Sequence, residues 1–318
     1  MRNRGIVAVL AAALVLAAAP AQASVRVERV VSFDPAAGEL PEGLTVDARD
    51  NAYVSLVNPV AQIRRIGPDG TGSVVAHFDV GGFGPLGLAV DHHGHLFVAM
   101  ATFDPATRGV YEVWPNGTST RLPGTDSIQF PNGLALDHHG DMYVTDSIGG
   151  AVWRIPRGGS AHLWVQDPLL TGDGSVGLGF PLGANGISVA HDHAVVVSNT
   201  EGGRIVRVPV THDGGAGAPT VLAEAPELYG ADGIALDVFG RTYVAVNPQS
   251  TLVRVDADGS ITTLATAGDG LDNPASPAFG TSEGDRENLF LTNFAAFSSS
   301  PDPALLKALV GAPGLRVP

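Results

Sequence analysis

One short phrase returns six times along this chain, and its spacing restricts the fold more than any other feature. The copies begin at Glu42-Gly43-Leu44, Leu86-Gly87-Leu88, Asn132-Gly133-Leu134, Asn185-Gly186-Ile187, Asp232-Gly233-Ile234 and Ala278-Phe279-Gly280, with spacings of 44, 46, 53, 47 and 46 residues. Each copy continues as an alternating strand, a turn such as Asp137-His138-His139-Gly140, and a second strand such as Met142-Tyr143-Val144-Thr145. A third strand sets a polar residue among apolar ones, as in Val152 to Ile155 and Leu252 to Val255. Asx-Gly pairs (Asp69-Gly70, Asn116-Gly117, Asp213-Gly214, Asp258-Gly259) then turn the chain into a fourth strand. Four strands repeated with a period in the mid-forties define a β-propeller. The expected fold is all-β, with six blades in one domain over residues 24–318.

The sixth repeat is incomplete. Ala304 to Val310 lies in third-strand register, with Lys307 where Arg154 and Arg254 stand in their repeats. Composition alone would make this segment a short helix capped by Asp302 and Pro303; the register favours a strand. No fourth strand follows it. Val25 to Val31 looks like the missing one, closing the ring by pairing with the last blade and leaving few exposed edges.

Ahead of that strand, Arg2 and Arg4 precede an apolar run from Ile6 to Ala19 and the small-x-small site Ala21-Gln22-Ala23. The run is short for a bilayer span, so residues 1–23 are expected to be a cleaved secretory signal peptide and the mature chain an exported monomer. Cleavage takes the formal charge from −14 to −16, and no basic cluster remains, which argues against nucleic acid as a partner. There are no cysteines, hence no disulfides, thiol nucleophiles or thiolate metal sites. Lys307 is the sole lysine, so amine catalysis would rest on a single residue.

In four of the six copies the slot before the glycine holds an oxygen donor: Glu42, Asn132, Asn185 and Asp232. Equivalent positions around a ring face one another across its axis. Two carboxylates and two amide oxygens neutralise a dication and leave room for water, and a set without sulfur or imidazole favours calcium, with magnesium, zinc or manganese as alternatives. Asp146, Asn199, Asn247 and Asn293 end second strands and are expected on the same face, whereas Leu56 and Met100 end them in the first two blades. Asn-Gly and Asp-Gly are also ordinary turn formers, so polar filling of a central tunnel is the alternative to a metal site. The 53-residue gap is made by a Gly-rich segment, 167–181, expected to cross the ring entrance.

Other strings carry less. Gly280 to Gly284 matches a nucleophile elbow, but a strand and not a helix follows its serine. Gly82 to Gly87 and Gly172 to Gly177 match the dinucleotide fingerprint without the βαβ unit it requires. His92, His93, His138, His139, His191 and His193 are expected in turns at the far end of the inner strands.

The order Glu, Asn, Asn, Asp at blades one, three, four and five resembles the senescence marker protein/gluconolactonase (regucalcin-like) family, six-bladed propellers with NHL-type repeats. The resemblance spans essentially all of the mature chain. It implies that Glu42, Asn185 and Asp232 bind a divalent metal, that Asn132 contacts substrate or water, and that Asp232 doubles as general base. It further implies a metal-dependent hydrolase of a lactone or related ester. Phe130 stands where the animal enzymes have an arginine, which with Phe180 and the Gly-rich segment implies a less polar substrate than a sugar-acid lactone. Asp146 is the second candidate for the base. The alternatives are a non-enzymatic extracellular propeller that binds a small molecule, glycan or peptide around a structural ion, and a metal-free acid–base propeller similar to strictosidine synthase.

Overall fold

The computed structural model describes residues 25–315; the expected signal peptide lies outside them. Six four-stranded antiparallel sheets are arranged as blades. Blade one comprises β2 (Pro41–Val46), β3 (Ala52–Leu56), β4 (Gln62–Ile66) and β5 (Gly72–His77). Blade two comprises β6 (Gly84–Val90), β7 (Leu96–Ala101), β8 (Gly109–Val113) and β9 (Ser119–Arg121). Blades three, four and five repeat the plan from β10 (Pro131–Leu136), β14 (Ala184–Val189) and β18 (Ala231–Leu236). Blade six contains β22 (Pro274–Phe279), β23 (Asn288–Asn293) and β24 (Ala304–Leu309), and its outer strand is β1 (Val27–Ser32). Ala304–Leu309 is therefore a strand, and Glu28 faces Lys307 across the closure. Among the described residues there is no α-helix, and no helix is long and apolar enough to cross a membrane.

The repeated grammar has local causes. In four of the six blades an aspartate follows the inner strand and clamps the turn. Oδ1 of Asp47, Asp91, Asp137 and Asp237 accepts the backbone N–H groups two and four residues on, at 2.8–3.0 Å. Apolar side chains of neighbouring blades interleave: Leu236, Val244 and Val255 of blade five pack with Val196 and Ile205 of blade four. The seam between blades six and one is tied at the end of the ring remote from the polar slots. There Asp50 Oδ1 accepts from Thr281 N (2.7 Å), Thr281 Oγ1 (3.0 Å) and Ser282 N (3.1 Å). Ser282 is the serine of the elbow-like string, and it serves this closure. Lys307 pairs with Asp285 at 2.9 Å.

The slot glycines are required by close approach at the axis. A Cβ on Gly43, Gly87, Gly133 or Gly186 would lie 2.1–2.5 Å from the slot carbonyl oxygen of the next blade (Leu86, Asn132, Asn185 and Asp232 in turn). Hydroxyls lock most of these contacts. Ser55, Thr145, Ser198 and Thr292 each accept a backbone N–H from their own inner strand. Each donates to the slot carbonyl of the next blade, namely Leu86, Asn185, Asp232 and Glu42, at 2.6–2.7 Å.

The sixth slot departs from the sequence expectation. Pro274 faces Asn293 and Pro277 faces Leu291, as Pro131 faces Asp146 and Leu134 faces Val144 in blade three. The slot is therefore Ala275-Ser276 and not Ala278-Phe279-Gly280. Gly280 lies beyond the other end of β22, where its N–H bonds Asn288 O at 3.0 Å.

Candidate metal centre and active site

The four oxygen-bearing slots come together. Glu42, Asn132, Asn185 and Asp232 are the floor of an open cavity of about 310 Å³ and also the roof of a narrow axial tunnel of about 50 Å³. Below them the tunnel is lined by inner-strand residues such as Leu88, Leu134 and Ile187.

Their orientation is set by blade-to-blade hydrogen bonds. Asn132 Nδ2 donates to Ser147 Oγ at 3.2 Å, and that hydroxyl donates to Ala184 O at 2.6 Å. Asn185 Nδ2 donates to Thr200 Oγ1 at 3.0 Å, and that hydroxyl donates to Ala231 O at 2.8 Å. The same relay recurs in successive blades, each amide nitrogen donating to a hydroxyl of its own blade. Asp232 Oδ2 accepts from Asn247 Nδ2 at 3.4 Å. Glu42 Oε2 is buried and has no hydrogen-bond partner.

The electrostatics follow from burial. Desolvation pushes the Glu42 carboxyl well above the usual carboxylate range, and the Asp232 charge pushes it further. Desolvation likewise raises Asp232, to about 7, against the opposing hydrogen bonds of Asn185, Asn247 and Gly233 N. Two buried carboxyl groups side by side, one with an orphaned oxygen, make a place where a cation would relieve the cost of ionising them. Among the described residues no three His, Asp or Glu side chains gather as metal ligands. The donor set of two carboxylates and two amide oxygens thus fits a hard cation with mixed oxygen ligation and does not fit a zinc site built on imidazoles.

The comparisons with known proteins agree on the architecture. Residues 181–295 match the model described as SMP-30/Gluconolactonase/LRE-like region. The chain carries an SMP-30/gluconolactonase/LRE-like region. Asn185, Asp232, Asn247 and Asn273 fall inside that span of this gluconolactonase-like propeller, and Glu42 and Asn132 outside it. A gluconolactonase from Xanthomonas campestris superposes with a TM-score of 0.66 at 18% identity, covering 92% of this chain and 90% of that one. Regucalcin, a calcium-binding protein from Agrobacterium tumefaciens, superposes equally (0.66, 18% identity, 92% and 94% covered). A luciferin-regenerating enzyme gives 0.69 at 12% identity, with 92% and 97% covered. At these identities the likeness establishes the fold alone. No curated protein sequence matches the chain significantly.

Asp146 is not in the cavity. Its carboxylate accepts backbone N–H groups of Gln129 (2.8 Å), Phe130 (3.0 Å) and Gly149 (2.9 Å), so both oxygens hold the loop that enters β10. Asn199 and Asn293 hold the corresponding loops of their blades. These three belong to the loops, and Asp146 is unavailable as a base. Asn247 differs because Val246, not Asn247, faces Ala231. The one-residue offset sends Asn247 to the cavity side. There it donates to Asn273 O, and Asn273 Nδ2 donates to Asn247 O, both at 3.2 Å. Asn273 Oδ1 is left buried without a partner. Sequence reasoning passed over Asn273, although its position just before Pro274, at the mouth of the sixth inner strand, would have marked it once that strand was in register.

The Gly-rich segment does cross the ring entrance, and one side chain holds it there. The buried Glu201 carboxylate accepts four backbone N–H groups: Asp173 (2.7 Å), Gly174 (2.6 Å), Val176 (3.0 Å) and Leu182 (3.0 Å). The histidines lie in the remote turns, as expected, but His138 and His193 of adjacent blades stack with centroids 4.6 Å apart.

Proposed function

We propose that this protein is a divalent-metal-dependent hydrolase of a lactone or related ester, exported by residues 1–23 and acting as a monomer. One observation carries the proposal: a buried, partnerless Glu42 oxygen sits beside Asp232 and two wall-tethered asparagines at the floor of an open cavity. Glu42, Asn185 and Asp232 would hold the cation, with Asn132 beside it. When bound, a hard dication supplies positive charge that polarises an ester carbonyl and favours oxyanion character. The likeness to gluconolactonase and regucalcin propellers supports both the substrate class and the cation.

The chain's own residues supply the remaining chemistry. Asn132, fixed through Ser147, orients an attacking water by its amide oxygen. Asp232 is the one carboxylate at the floor with a polar neighbour aimed at it, Asn247. It takes the proton as the water oxygen bonds to the carbonyl carbon. The ring carbon–oxygen bond then breaks, and the proton passes to the departing alkoxide oxygen to give a hydroxy acid. The test is a panel of lactones and aryl esters assayed with calcium, magnesium, zinc and manganese against a chelated control. Asp232→Asn, at saturating cation, is expected to lose about 10²–10⁴-fold in kcat with its melting transition retained. Full activity in that variant, or hydrolysis indifferent to chelation, would refute the assignment.

A further inference from the structure

Above the polar floor the cavity changes character. The charged side chains lining it are Glu42 and Asp232, both at the floor. The wall has a cluster of phenylalanines in mutual edge and tilted contact: Phe130–Phe180 at 5.2 Å, Phe83–Phe130 at 5.7 Å and Phe83–Phe180 at 6.1 Å. The segment tied down by Glu201 completes it in a regular way. Val176, Leu178, Phe180 and Leu182 line the cavity at every second residue, and Gly177 and Gly179 between them are exposed, with φ of +85° and +86°. The segment is outside any sheet, yet it presents one apolar face inward. Left-handed glycines make that alternation sterically free.

A polyhydroxylated lactone needs hydrogen-bonding groups along its whole length, and a wall of this kind strands its hydroxyls without partners. An aliphatic chain gains by the same contacts. We infer that this site takes lactones or esters bearing an alkyl or acyl chain, the carbonyl at the Glu42–Asp232 floor and the chain against Phe130, Phe180 and Leu178. The reactive end of this inference rests on the hydrolase reading above; the chain subsite does not.

The experiment runs two parallel series on the full chain with calcium present. One is γ-lactones with side chains from methyl to octyl, with gluconolactone as the polar comparator. The other is γ-lactams with the same chains, which resist hydrolysis and report binding alone by calorimetry. Each added methylene is expected to raise lactone kcat/KM and lactam affinity about three- to fourfold until the cavity is filled. Gluconolactone is expected to fall below the hexyl lactone. Phe180→Ser and Leu178→Ser, both on the surface segment, are expected to flatten the chain-length slope in both series. If lactam affinity climbs with chain length while no lactone is hydrolysed, the subsite stands and the hydrolase reading falls. If gluconolactone is the better substrate and lactam affinity ignores chain length, the inference is overturned and the hydrolase reading stands.

Discussion

Glu42→Gln is expected to change sign with the cation. In chelated protein, Glu42 and Asp232 are two buried acids that each prefer to hold a proton. The folded state then binds more protons than the unfolded one, so stability falls as pH rises from the ordinary carboxylate range through about 7. A tenfold change in a proton-binding constant is worth about 1.4 kcal/mol, so full ionisation of the pair costs on the order of a few kcal/mol. Glutamine keeps the shape and removes one charge together with its repulsion of Asp232. At about pH 8 in chelator the variant should be more stable than wild type by roughly 1–3 kcal/mol, or about 2–6 °C in Tm. At about pH 5 the difference should shrink toward zero. Saturating calcium should reverse the order, because a ligand at 100 times its Kd adds about 2.7 kcal/mol to wild type and little to a variant missing a ligand. The assay is calorimetric melting of both proteins across pH, with and without calcium. Equal destabilisation of the variant in chelator and in calcium would refute the reasoning, because that is how an ordinary packing residue behaves.

Gly133→Ala places a Cβ 2.5 Å from Asn185 O, so it should lower stability by about 1–3 kcal/mol and weaken calcium binding, read by denaturant melting and calorimetric titration. Glu201→Ala removes the acceptor of four backbone N–H groups, so limited proteolysis should cut within 173–182 and KM should rise more than kcat falls. In Asp50, desolvation raises the carboxyl pKa, but bonds from Ser282 and Thr281 outweigh it, leaving it below the usual value. Its contribution is therefore present above the ordinary carboxylate pKa and lost as pH falls through the lowered one. Asp50→Ala should cost about 2 kcal/mol at neutral pH and less in strong acid, measured by urea melts.

The ring was legible because most blades repeat the same physical requirements: a turn aspartate, an Asx-Gly hairpin, and a glycine where inner strands nearly touch. The polar floor was legible for the same reason, since equivalent slots in a closed ring must face its axis. The failures share one cause, local register. In blade six the slot glycine is replaced by Ser276, and the nearest glycine, Gly280, drew the alignment to the wrong end of the strand. Proline was the better marker, because Pro41, Pro131 and Pro274 begin inner strands and Pro85 is second in its own, at strand starts where a missing N–H is tolerated. At the ends of the second strands a shift of one residue separates a loop clamp, Asp146, from a cavity residue, Asn247. A period-two element assigns opposite faces to adjacent residues, and no composition signal resolves a single step.

The asymmetry of the axial hydrogen bonds bears on how the site divides its work. Hydroxyls of the preceding blade pin the main-chain carbonyls of Glu42, Asn185 and Asp232, the three residues assigned to the cation. Asn132 has no such bond, because Ala99 occupies the position held by Ser55, Thr145 and Ser198 in their blades. Its side chain alone is fixed, through Ser147. Ligands of a cation must keep their mutual spacing within a few tenths of an ångström, and backbone pinning on three separate blades enforces it. A group that positions a water must follow that water as it moves toward a carbonyl carbon, and a side-chain tether allows this where a pinned backbone would not. The alanine in blade two thus separates the residue expected to act on the attacking water from those expected to hold charge.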